Sequence, residues 1–270
     1  MPKNFPLSIR ASLKLLGFGL LVLGYLLCTL PALFLCQVTP RLARSLSLFW
    51  MRRYCKWCNW LFGIEIKNNQ PLNPPSLSGT FIVANHLSYL DVLVMNASLS
   101  ACFVTSEEIK ETPFLGQLCI LGGCLFVERR SRSRLGIEIS EIKEALISGS
   151  NVVVFPEATS TNATGVLRFK RPLFQAAIQA KSPIANYCIQ YEKINGEPFQ
   201  LKNRDQICWY GDMDFFPHFW KFLKLKKIEV RLEFIDVIET IGINETHSLS
   251  ELSHRLVSSR FSPIQENTYA

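Results

Sequence analysis

The chain of 270 residues lacks most of the signatures by which a sequence announces its chemistry. There is no Gly-x-Ser-x-Gly elbow, which excludes the strained strand-to-helix turn that exposes a serine nucleophile in α/β hydrolases. There is no zinc-finger spacing and no aromatic-basic RNA signature, so no nucleic-acid partner is expected despite a formal net charge of +7. No segment repeats. Cysteine is plentiful, at nine residues, but the number is odd and the positions are scattered, several in apolar runs. That distribution suits buried thiols in a reducing compartment rather than a disulfide framework. Cys55-Lys-Trp-Cys58 has no second pair at zinc spacing and no βαβ pattern around it, so helix packing is a better reading than a metal or redox site. Histidine is rare, with four residues, and acids number 22 against 29 bases. A basic surplus of this kind suits anionic lipid or an acidic protein partner.

Charge is missing altogether from Leu15 to Cys36, a run of Leu, Phe, Gly and Val. As a helix it would span about 33 Å, enough for a hydrocarbon core. Lys3, Arg10 and Lys14 precede it, as in a signal peptide, but Pro31 interrupts the run and no small-x-small cleavage site follows, so it reads as a retained anchor. From Arg41 to Phe62, Arg41, Arg44, Arg52, Arg53 and Lys56 alternate with Phe49, Trp50, Trp57 and Trp60, the composition of an interfacial helix. Positive charge on both sides leaves the orientation open, and the pair fits either a spanning helix or two helices that dip into one leaflet and return. Asn68–Pro75 is turn and linker chemistry. The linker is therefore expected to divide the chain into membrane-anchoring helices over 1–65 and a second domain over 66–270.

Beyond the linker, short apolar β-rich runs (81–84, 102–104, 124–127, 152–155 and 184–189) alternate with helical patterns (89–99, 113–121, 135–147 and 173–180). This alternation predicts an α/β fold with a mostly parallel or mixed sheet flanked by helices. Ile228–Ile235 alternates with period two and reads as a late, half-exposed strand, and 249–257 as a short last helix. Between 214 and 227 aromatics interleave with four lysines; the stretch reads either as a second membrane contact or as an amphipathic helix on the sheet.

The stretch Phe81-Ile-Val-Ala-Asn-His-Leu-Ser-Tyr-Leu-Asp91 organises the rest. On a regular helix, five residues turn about 500°, which would set His86 and Asp91 apart. A bend at a strand-to-helix junction lets them meet, and a carboxylate that holds an imidazole makes it a general base. The competing reading is a capping box, with Ser88 at the N-cap and Asp91 at N3. Asn85-His86-x-x-x-x-Asp91 resembles the first motif of the glycerolipid acyltransferase superfamily, as in 1-acylglycerol-3-phosphate acyltransferases. Gly123-Cys-Leu-Phe126-Val-Glu-Arg129 is similar to that family's Gly-x-x-Phe-x-x-Arg, and Phe155-Pro-Glu157-Ala158-Thr159 to its Phe-Pro-Glu-Gly-Thr. A weaker block is Ser182–Asn186, and the likeness runs from about 66 to about 237.

The resemblance implies a membrane-bound O-acyltransferase of phospholipid biosynthesis. It would move a fatty acyl group from acyl-CoA or acyl-carrier protein to a lysophospholipid, with no further cofactor and no metal. Its expected home is the cytoplasmic membrane, with the active site on the cytosolic side. His86 would be the base and Asp91 its orienter. Arg129, Glu157 and Thr159 would serve the acceptor. Glu157 cannot itself attract phosphate, so it is expected to hold an arginine or the acceptor hydroxyls; Lys170, with Arg168 and Arg171, supplies charge nearby. The sequence departs from the pattern at four places: Ala158 for Gly, Ser160 for the Arg of many relatives, Ser106 for Lys, and Asn186 for Pro. These departures make the phosphate site less cationic and keep a non-phosphate acceptor such as a lyso-ornithine lipid open. A non-catalytic lipid-binding protein and a thioesterase are the other readings. His218, His247 and His254 have no carboxylate at a useful spacing inside a motif.

Overall fold

The structure, a computed structural model, describes residues 7–36, 38–69, 78–112, 115–128 and 133–264. In chain order it contains α1 (Leu7–Cys36), α2 (Pro40–Phe62), β1 (Ile64–Asn69), β2 (Phe81–Ala84), α3 (Leu90–Ser98), β3 (Ala101–Ser106), α4 (Glu107–Glu111), α5 (Leu115–Leu121) and β4 (Leu125–Val127). Then follow α6 (Leu135–Ile147), β5 (Asn151–Val154), α7 (Phe174–Ala180), β6 (Ile184–Ile194), β7 (Glu197–Pro198), α8 (Phe215–Leu223), β8 (Ile228–Ile238) and α9 (Thr246–Arg260).

A strand that is apolar at every residue needs cover on both faces. Phe81–Ala84 and Asn151–Val154 are such strands, and every residue of both is buried. They lie side by side in the middle of one sheet, ordered β1-β8-β6-β2-β5-β3-β4, with β7 on β6. Strands β4, β3, β5, β2 and β6 run parallel to one another; β7 and β8 are antiparallel to β6, and β1 is parallel to β8. Alternation assigns the two faces. Ile82 and Ala84 pack under Phe62, Leu90, Val94 and Phe222, beneath α2, α3 and α8. Phe81 and Val83 pack against Ile142, Phe174 and Val257, on α6, α7 and α9.

The mixed α/β sheet matches the expectation, and two features extend it. Strands β6 and β8 are eleven residues each and pair from Ile184–Ile238 to Ile194–Ile228, past the ends that local pattern suggested. The edge strand β1 takes Asn68 from the expected linker; 70–75 lie outside the described residues. Gly63 makes the corner between α2 and β1. Its φ is 76°, and a Cβ there would lie 2.2 Å from the carbonyl oxygen of Lys226, so only glycine fits.

Helices α1 and α2 form an antiparallel hairpin. Tyr25 meets Tyr54 edge-on, with ring centroids 5.3 Å apart, and Phe18 meets Phe62 at 5.5 Å. The foot of the hairpin is docked by cations on helix C-termini. Lys14 Nζ donates to the carbonyls of Phe62 at 2.6 Å and Leu225 at 2.7 Å, and Arg10 donates to that of Lys224. Further along, Leu16, Leu20, Leu23 and Leu27 are exposed. Among the described residues one helix, over Leu7–Pro31, is long and apolar enough to cross a membrane. Cys55 and Cys58 are free and buried on α2. In the aromatic-lysine stretch, α8 packs Phe219 and Phe222 against Phe62, while Phe216 is 81% exposed.

Candidate active site

Strand β2 ends at Ala84, and the next residues leave the sheet without losing their polar partners. The Asn85 side chain donates to the carbonyl of Ile189 at 3.0 Å and accepts the N–H of the same residue at 2.8 Å. The carbonyl of His86 accepts from Thr161 N–H, and that of Leu87 from Trp209 N–H. A chain stitched this way can bend and stay satisfied. The bend carries Asp91 back onto His86: Nδ1 lies 2.9 Å from Oδ2. The same oxygen accepts the N–H of Leu87 at 2.7 Å and of Ser88 at 2.9 Å, while Oδ1 accepts the hydroxyl of Tyr191 at 2.8 Å. Asp91 has no exposed surface.

Four donors around a buried carboxylate make it an anion and a hydrogen-bond acceptor only. The proton shared with His86 therefore sits on Nδ1, and Nε2 is left free to take another. Phe155 stacks on the ring, with centroids 4.2 Å apart and planes 10° apart, fixing its plane. The capping-box reading is half right: Asp91 accepts Ser88 N–H, but the buried Ser88 hydroxyl has no partner among the described residues. One carboxylate caps the bend and holds the imidazole together.

Strand β5, beside β2, delivers Phe155-Pro-Glu157 to the same edge, where ligand sites of α/β sheets open. Glu157 is buried. One oxygen accepts the N–H of His86 at 2.7 Å and the other that of Leu167 at 2.6 Å. Burial pushes its carboxyl up to about 7, against the pull of the two N–H donors; Asp91 nearby adds to the rise. The sequence suggested an arginine or the acceptor hydroxyls as its partner; among the described residues both oxygens are taken by main chain, and Glu157 ties two strand ends together. Ala158 occupies the left-handed region at φ 61°, which explains why the family pattern has glycine there. Thr159 is exposed, and the Ser160 hydroxyl donates to the Trp209 carbonyl. Lys170 is exposed beside them, its N–H on the Pro156 carbonyl. Arg129 lies outside the described residues.

A cavity of about 890 Å³ adjoins the stacked pair. Phe155 and Ala158 form one wall; Arg168, Lys170, Arg171 and His247 line it together with the carboxylates Glu128 and Glu138. Another, of about 710 Å³, lies between α2 and α6 at the other ends of the strands, lined by Arg44, Glu141 and Glu144, away from His86. Of the remaining histidines, His218 contacts the Tyr89 hydroxyl at 3.0 Å and His254 the Val166 carbonyl, neither of them lining the cavity beside Phe155, while His247 on its lining pairs with Glu251. Sequence reasoning missed Tyr191, one hundred positions from Asp91. The available signal was a tyrosine in an apolar strand, which needs an acceptor when buried.

Residues 63–190 match the Acyltransferase family model. The chain is 30% identical over 189 residues to a 1-acyl-sn-glycerol-3-phosphate acyltransferase of Neisseria meningitidis, covering 70% of this chain and 71% of that protein. It is 30% identical over 234 residues to a lyso-ornithine lipid O-acyltransferase of Rhizobium meliloti, covering 82% and 76%. The fold is that of the 1-acyl-sn-glycerophosphate (LPA) acyltransferase, PlsC, from Thermotoga maritima, with a TM-score of 0.66 at 19% identity over 94% of this chain and 95% of that one. Sequence and fold agree: this chain belongs to the acyltransferase family that 1-acyl-sn-glycerol-3-phosphate acyltransferases and lyso-ornithine lipid O-acyltransferases share.

Proposed function

We propose that the protein moves a fatty acyl group from acyl-CoA or acyl-carrier protein to the free hydroxyl of a lysolipid at a membrane surface, with 1-acylglycerol-3-phosphate as the first candidate acceptor. The observation that carries this reading is the 2.9 Å contact of His86 Nδ1 with a carboxylate that water does not reach. His86 Nε2 takes the hydroxyl proton as the oxygen attacks the thioester carbonyl. Collapse of the tetrahedral adduct releases the thiolate, and the imidazolium returns the proton to sulfur. A thioester is already activated, so no serine or cysteine nucleophile is needed. Asp91 supplies orientation and stabilises the imidazolium; Glu157 acts at one remove, by fixing the backbone of His86.

The acceptor phosphate would enter the cavity beside Phe155, where Arg168, Lys170 and Arg171 gather, with Arg129 and Thr159 as further ligands. One observation favours a second acceptor. Ser160 spends its hydroxyl on the Trp209 carbonyl and Ser106 is buried, so two positions that carry cations in many relatives add none here. A lyso-ornithine lipid, whose headgroup carries its own amine, asks less of such a site. The leucine face of α1, the exposed Trp60 of α2 and Phe216 of α8, rimmed by Lys221, would seat the protein in the bilayer, the hairpin entering and returning. A cytosolic thioester donor puts the active site on the cytosolic side.

The test is transfer from labelled acyl-CoA and acyl-carrier protein to a panel of lysolipids by the purified protein, with products identified by mass. Acylated 1-acylglycerol-3-phosphate or lyso-ornithine lipid is the expected product. Free fatty acid alone would indicate a thioesterase, and vesicle binding without turnover a non-catalytic lipid binder; either result contradicts the proposal.

A further inference from the structure

We propose that Tyr191 is the third member of the His86–Asp91 group: its hydroxyl, held on Oδ1 of Asp91, sets how tightly His86 keeps the proton it takes from the acceptor. This rests on the reading of His86 as the base. Of the four donors around Asp91, three belong to its own bend: the His86 ring and the N–H groups of Leu87 and Ser88, all on Oδ2. Among the described residues only Tyr191, from β6, donates to Oδ1, at 2.8 Å. Its side chain is 1% exposed, with the ring against Phe199. The local chain thus aims one carboxylate oxygen at the imidazole, and the central sheet neutralises the other.

The consequence follows from what a bare oxygen would do. Without Tyr191 the buried anion keeps one unpartnered oxygen, the costliest kind of orphan. It relieves that cost by drawing the shared proton from Nδ1, which strengthens the hold of the imidazole on a proton at Nε2, or by taking a proton itself. Either way the active protonation state requires a higher pH. Among the described residues the other titratable groups near the pair are Glu157, through the N–H of His86; Cys208, close to Asp91; and Tyr89, which His218 of α8 holds. None of them donates to Oδ1, so none replaces the lost hydroxyl. Tyr191 touches no reacting atom; it is a positioning residue whose effect shows in the pH profile.

The experiment is the pH dependence of kcat/KM, from about pH 5 to about pH 9, for full-length Tyr191→Phe against 1-acylglycerol-3-phosphate and lyso-ornithine lipid. The acidic limb is expected to move upward by about half a pH unit or more, a loss of roughly threefold at the acid end that fades at the alkaline end, with KM unchanged. If Tyr191→Phe does not fold, 3-fluorotyrosine at 191 keeps the shape and gives a stronger donor, and it moves the limb downward. A limb that stays put while the melting temperature alone falls, or a loss uniform across pH, overturns the inference. The two readings fail differently. Full activity in His86→Gln removes the base and this inference with it; an unmoved limb in the Tyr191 variants, with His86→Gln inactive, removes this inference alone.

Discussion

The bend around His86 and the hairpin of α1 and α2 are built on opposite rules. In the bend the side chains that shape it are paired: Asn85 with Ile189, Asp91 with four donors, Glu157 with two N–H groups. The hairpin leaves Leu16, Leu20, Leu23 and Leu27 exposed on the outer face of α1 and is pinned at its foot by Lys14 and Arg10 on carbonyls at the ends of α2 and α8. A packed polar knot fixes angles, as proton transfer at a base requires; an exposed greasy face with one polar latch fixes only its foot. The contrast has a shared element. Phe62 and Phe219 bring α1, α2 and α8 onto the layer that covers β2, so the apolar face and the bend around His86 are parts of one packed unit.

The strongest way to break the knot is Asp91→Asn. An amide would turn donor hydrogens toward two N–H groups, or lose one of its acceptors, so both the ring position and the loop suffer. Transfer should fall by about 10²–10⁴-fold, measured as initial rate. The latch of the hairpin is tested by Lys14→Met. Two buried carbonyls lose their donor, which costs roughly 2 kcal/mol and lowers the melting temperature by roughly 4–8 °C; in detergent the catalytic rate should hold to within a few-fold.

A subtler probe uses the acid inside the knot. Glu157 is held near 7, above its ordinary 4.5, so between those values the folded state keeps a proton that the unfolded chain has released. Stability contributed by that protonation is complete at low pH and is lost as pH rises through about 7. Thermal melts should therefore show wild type losing up to about 3 kcal/mol between pH 5 and pH 8 relative to Glu157→Gln, which lacks the slope. The smallest effect belongs to Ala158→Gly. Relief of the left-handed backbone, less the greater freedom of glycine in the unfolded chain, should raise stability by up to about 1 kcal/mol, read from denaturant midpoints, with activity unchanged.

What the sequence made legible is local. Phe81–Ala84, the bend after it and the start of α3 lie within eleven residues, and hydrophobic runs with a His and an Asp at the junction suffice to read them. The alternation of strands and helices gave the layered sheet for the same reason. Partners set by pairing of distant strands were not legible. Tyr191 reaches Asp91 only because β6 lies beside β2, and Trp209 meets Leu87 across more than a hundred residues. Strand β1 hid because four alternating residues before two asparagines look like the start of a linker. Lys14 read as a flanking charge, and its burial depends on where α2 and α8 end. Glu157 was legible as important and not as a brace, since its partners are main-chain groups that carry no residue identity.

The most direct test of the account is His86→Gln, which keeps a hydrogen-bonding side chain of similar size beside Asp91 and Phe155 but cannot accept and return a proton at ordinary pH. Acyl transfer to 1-acylglycerol-3-phosphate or lyso-ornithine lipid should drop by about 10²–10⁴-fold while vesicle flotation and the melting temperature stay near wild type. Transfer within about tenfold of wild type would contradict the assignment of His86 as the base.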